Sequence, residues 1–142
     1  MNKQAGEKDF DHPIRNIDRL IFVYKADTGK VNALLDSAKK LLMIKGCTLC
    51  SITHGLAGEK EEWRNCREEI GVPVEIFHRD EIDSRLGKVV RDQLPVVVAE
   101  TVGDLVVLLT PEVLERCKGS VHDFKARLRL HSSMRNLAIP GL

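Results

Sequence analysis

The chain alternates short apolar runs with amphipathic stretches, and this pattern predicts most of its elements. Arg19 to Lys25 (RLIFVYK) is branched and aromatic, as a buried strand is. From Val31 the apolar residues Val31, Leu34, Leu35, Ala38, Leu41 and Leu42 recur at helical spacing, with Asn32, Asp36, Lys39 and Lys40 opposite. That predicts an amphipathic helix, with Gly46 as its stop. Cys47 to Gly58 (CTLCSITHGLAG) is rich in Gly, Ser and Thr and reads as a connector. Glu59 to Ile70 reads as a second helix with Trp63, Cys66 and Ile70 on one face and Gly71 as its C-cap. Val74 to His78 follows as a strand, and Ile82, Leu86, Val89 and Val90 as a short helix. Val96 to Ala99 and Leu105 to Leu109 flank the turn TVGD and predict a hairpin. Thr110 and Pro111 then open a helix with Val113, Leu114 and Cys117 on its apolar face. Val121 to Leu130 reads as a short helix and His131 to Leu142 as a tail.

This order gives a parallel strand–helix–strand unit followed by an antiparallel hairpin. The expected fold class is α/β, a small mixed sheet flanked by helices. The expected organisation is a mobile arm over 1–18, one domain over 19–119 and a C-terminal extension over 120–142.

Composition narrows the function. The chain has 142 residues, with 22 Lys and Arg against 21 Asp and Glu. A formal charge of +1 offers no electrostatic footprint for nucleic acid or an anionic membrane surface. The N-terminal MNKQAGEKDFDHPIRNID lacks the apolar core of a secretory signal, and no apolar run approaches the ~20 residues of a membrane span. The expectation is therefore a cytoplasmic protein with its thiols normally reduced. The expected partner is a protein or a small thiol, with neither nucleic acid nor membrane.

Four cysteines are too few for a disulfide scaffold, but Cys47 and Cys50 form a C-x-x-C pair. Three readings stand. In the first, the pair is a redox dithiol, with His54 and Lys45 supplying positive charge to a thiolate. In the second, Cys47, Cys50 and His54 bind zinc, one ligand short of the usual four, with Cys50 and His54 facing the same way on a helical turn. In the third, the two cysteines are small residues in a turn with no chemistry. Haem attachment is excluded, because Ser51 stands where a histidine is required. Cys66, Cys117 and Trp63 lie at core spacing and read as buried.

Asp27, Thr28, Gly29 and Lys30 follow a strand and precede a helix, a favoured place for an anion or small ligand. The full phosphate-loop pattern fails, since the first glycine is missing and Val31 replaces the hydroxyl residue. His78, Arg79, Asp80, Glu81 and Asp83 read as a solvated polar loop.

The second half, Val74 to Cys117, resembles the later part of a thioredoxin fold. There a strand and helix lead to a proline, an extended strand, a hairpin and a final helix. Pro95, in Gln93-Leu94-Pro95-Val96, stands where that superfamily places its cis-proline beside the active-site loop. The resemblance implies a cis Leu94–Pro95 bond and a ligand-facing role for Pro95; no cofactor is expected, with zinc as the alternative. It also marks a departure. Redox members carry C-x-x-C directly after the first strand, where this chain has Ala26-Asp27-Thr28-Gly29-Lys30-Val31; its own pair comes some twenty residues later. The stretch Cys47 to Gly55 is similar to a motif in bacterial proteins, a similarity that names no activity. The leading expectation is a thiol protein in which Cys47 and Cys50 cycle or sense redox state while His54 tunes the thiolate. The alternative is a non-catalytic interaction module on a degenerate thioredoxin fold, with zinc in the C-x-x-C-x₃-H loop.

Overall fold

The computed structural model describes residues 13–27, 47–55 and 58–142. The helix expected from Val31, together with Thr28, Gly29, Lys30 and Lys45, lies outside the described residues. In chain order the elements are β1 (Arg15–Asn16), β2 (Arg19–Val23), α1 (Thr48–Thr53), β3 (His54–Gly55), β4 (Gly58–Glu59), α2 (Glu61–Ile70) and β5 (Val74–Phe77). A 3₁₀ turn (Arg79–Glu81) follows, then α3 (Ser84–Val90), β6 (Val96–Thr101), β7 (Asp104–Leu109), α4 (Pro111–Arg116), α5 (Val121–Met134) and β8 (Leu137–Ala138).

The main sheet runs β5-β2-β6-β7. β2 pairs parallel with β5 and antiparallel with β6, and β6 pairs antiparallel with β7. This mixed α/β sheet is of the thioredoxin-like kind, and the Leu94–Pro95 bond that opens β6 is cis.

Alternation along the strands divides the core. Leu20, Phe22, Val97 and Ala99 face one side, where α1, α2, α4 and α5 supply Leu49, Ile52, Trp63, Ile70, Leu114, Phe124 and Leu128. Ile21, Val23, Val96 and Val98 face the other, where Leu86 and Val90 of α3 cover them. A register shift at Val97/Val98 lets both Leu108 and Leu109 join the first side, as an extra residue in one strand does.

Local chemistry fixes the helix ends. The Asp83 carboxylate accepts the Leu86 N–H at 2.8 Å, and the Thr110 hydroxyl accepts that of Val113 with Pro111 in the first turn. Gly71 closes α2 at φ 76°, a conformation glycine adopts without steric cost.

Described residues near both chain ends pack onto the core. Of the expected arm, Arg15 and Asn16 pair with Leu137 and Ala138, and Ile17 is buried. α5 runs on to Met134, and the segment after it is no loose tail, because Leu137 and Ile139 enter the main core. Gly141 donates its N–H to the Ile70 carbonyl and passes so close to α2 that a Cβ there would collide with the Glu69 carbonyl. The sequence between His131 and Leu142 shows no helical or strand periodicity, and only this packing supplies the reason for its order.

Candidate functional site

The expected connector after residue 46 contains α1. Leu49, Cys50, Ile52 and Thr53 recur at i, i+1, i+3 and i+4 and are all buried, so packing against α4 and α5 outweighs the weak helix preference of Thr and Ser. Cys47 is the residue before the first turn, and its Sγ is bonded to that of Cys50. The Cα atoms stand 5.3 Å apart, as a disulfide across one turn requires. Cys47 is 5% exposed and Cys50 1%, so both residues are buried and Cys47 is slightly the more exposed. The loop after α4 lies over this helix: a Cβ at Gly119 would meet the Ser51 carbonyl at 3.5 Å, and Lys60 Nζ donates to the Gly119 carbonyl at 2.7 Å.

α1 ends at Thr53, and His54 is extended, with φ −125° and ψ 149°. His54 therefore does not continue the helical face of Cys50, contrary to the expected same-face arrangement. It pairs instead with Glu59 in the β3–β4 ladder, and Glu59 is held by the Arg67 fork at 2.8 and 3.0 Å. With the two sulfurs bonded to each other, no pair of thiolate ligands stands ready. Among the described residues no group of three His, Cys, Asp or Glu side chains is arranged to hold a metal ion.

The imidazole of His54 belongs to a buried hydrogen-bond chain. Thr53 Oγ1 lies 2.7 Å from His54 Nδ1 and 2.7 Å from the Tyr24 hydroxyl. Tyr24 is 2% exposed and follows directly on β2, and its ring meets those of His54 and His78 edge-on. When His54 is neutral with Nδ1 bare, Thr53 donates to it and accepts from Tyr24. Protonation turns Nδ1 into a donor and sends the Thr53 proton toward the Leu49 or Cys50 carbonyl, each 3.4 Å away. Burial holds the His54 pKa below its ordinary value; Glu59 opposes that shift and Arg67 adds to it. Burial also pushes the Tyr24 hydroxyl up to about 12.

Pro95 is buried and immediately precedes Val96, which pairs with Val23, so Pro95 and Tyr24 share one end of the sheet. At that end Asp27 takes the Arg79 fork at 3.0 and 3.2 Å. His78 and Glu81 close a reciprocal cap around the 3₁₀ turn in the polar loop that follows β5. Cys66 and Cys117 are buried in the core, and burial raises both thiol pKa values, which keeps them protonated and unreactive. Tyr24 and Thr53 were not legible as site residues. The one available signal is a tyrosine ending an apolar strand, where its polar tip needs a partner.

The fold and site together define a mixed α/β protein of thioredoxin-like architecture carrying a C-x-x-C disulfide. No protein-family model matches the chain, and no curated protein or solved structure shows significant similarity to it. Among the described residues no helix is long and apolar enough to cross a membrane.

Proposed function

We propose that the chain is a cytoplasmic thiol–disulfide protein that exchanges or senses redox equivalents through Cys47 and Cys50. The observation that carries this reading is the Cys47–Cys50 bond at the start of α1, in a fold of thioredoxin-like architecture. In a reducing compartment such a pair closes only in response to an oxidant or a disulfide. An external thiolate attacks the sulfur of Cys47, the more exposed residue of the pair, and releases Cys50 as thiolate. A second external thiol then displaces Cys47, so two external thiols become one disulfide and the pair gains two electrons and two protons. In the reverse direction Cys47 attacks and Cys50 resolves. His54 acts through Thr53, whose hydroxyl lies under the Cys50 carbonyl. Asp27 and Pro95, at the neighbouring end of the sheet, and Thr28 to Lys30 remain the proposed ligand-facing loop.

Glutathione disulfide tests the order of attack. Cys50→Ser, lacking the resolving thiol, should accumulate a glutathione adduct on Cys47, read as a mass increase of the intact folded chain, while Cys47→Ser should not. Equal adducts on both variants, or none on either, would remove the reading. The burial of both sulfurs favours a second reading, an interaction module in which the disulfide is a fixed staple. That reading predicts no adduct on either variant until the protein unfolds.

A further inference from the structure

On the opposite face of the sheet from the disulfide there is a cavity of about 410 Å³. Ile82, Gly87, Val90 and Leu94 form its apolar wall, and Lys25, Arg79 and Asp92 stand at its rim. The size falls within the ~300–1,000 Å³ typical of small-molecule sites, and an apolar body with a few charged groups is their usual lining.

Gly87 is the second observation. It lies inside α3, where glycine costs roughly 1 kcal/mol against alanine. The helix around it is regular, with Gly87 N–H to the Asp83 carbonyl at 2.8 Å and Arg91 N–H to the Gly87 carbonyl at 2.9 Å. Its backbone is not in the left-handed region, and a Cβ would make only an ordinary contact with Ile82 Cγ2 at 3.6 Å. Neither backbone geometry nor close packing therefore calls for glycine. What the missing side chain does is leave the cavity wall open.

The rim sets the ligand's charge. Lys25 is exposed and takes part in no ion pair among the described residues. Arg79 is already engaged by Asp27, and Asp92 places a negative charge at the rim. One cation with no ion pair among the described residues, beside an anion, suits a monoanion and disfavours a multiply charged phosphate. We propose that this cavity binds a small carboxylic acid with a branched apolar body, its carboxylate on Lys25 and its body against Val90 and Leu94 over Gly87. The site does not depend on the cysteine chemistry.

The probe is 4-methylpentanoate, titrated into the isotope-labelled full chain to about 10 mM, above the ~1 mM dissociation constant reasonable for so small a ligand. Amide resonances of Lys25, Gly87, Val90 and Leu94 should shift and saturate. Gly87→Leu, which fills the cavity and raises helix propensity, should abolish the shifts while remaining folded, and Lys25→Glu should weaken binding at least tenfold. Cys47→Ser should bind like the parent chain, which separates this result from the fate of the disulfide. Absence of saturable shifts, shifts that persist in Gly87→Leu, or equal shifts with inorganic phosphate would overturn the proposal.

Discussion

The two faces of the sheet are built to different standards. On the face reached by Leu20 and Phe22, four described helices and the chain's last residues close one continuous core. Phe22, Trp63 and Phe124 form a ring triangle there with centroids 5.1 to 5.9 Å apart. On the face reached by Ile21 and Val23, one helix of seven residues is the cover among the described residues, with a glycine inside it and a cavity beside it. The same strands feed both faces, so strand sequence alone does not decide how well each is sealed. The difference lies in how many amphipathic elements the chain returns to each side. The thick face encloses a disulfide that must open to react, and the thin face leaves room for a ligand.

Large-to-small substitutions break this comparison most sharply. Phe124→Ala should cost about 3–5 kcal/mol in urea unfolding, because the triangle is closed on all sides, while Leu86→Ala should cost about 2 kcal/mol, because the thin face can relax. Equal losses would show that the faces are alike. Gly141→Ala should come next, at about 1–3 kcal/mol, since the added methyl must push the C-terminal segment off the Glu69 carbonyl. Hydrogen exchange should then rise at Leu137 and Ile139 and stay unchanged in α3. Asp83→Ala removes the cap of α3 and should cost about 1 kcal/mol, read as faster exchange on the thin face only.

The smallest effect is on pH dependence. His54 has a depressed pKa in the folded chain, so the unfolded chain binds its proton more readily, and stability is lost as pH falls below about 6.5. His54→Asn keeps an acceptor for Thr53 and removes the titration, so its stability should fall less steeply than the parent's below that pH. Parallel curves would separate His54 from the thick face's pH response.

Strand periodicity and capping residues made the sheet legible. RLIFVYK, the Val96 and Leu105 runs, Thr110-Pro111 and Gly71 each act through local geometry and occur where expected. α1 was hidden because Thr and Ser have weak helix preference, and four buried positions in six residues become a helical face only against α4 and α5. The C-terminal segment was hidden for a similar reason: Leu137-Ala138-Ile139 is too short an apolar run to predict a strand, and its burial depends on a partner strand 122 residues earlier in the chain, at Arg15↔Leu137. Of the site, the cysteine pair was legible from spacing alone. The Tyr24–Thr53–His54 chain was not, since its members meet only across the fold.

The thiol–disulfide proposal requires that the Cys47–Cys50 bond be a working redox couple within a folded chain. The most direct measurement is equilibrium with graded ratios of reduced to oxidised dithiothreitol, followed by alkylation and intact mass, with the fold monitored by tryptophan fluorescence. A working couple should show one reversible two-electron step that adds two alkyl groups, disappears in Cys47→Ser and leaves Trp63 buried throughout. Alkylation that appears only together with unfolding, or thiols that never form the bond, would contradict it.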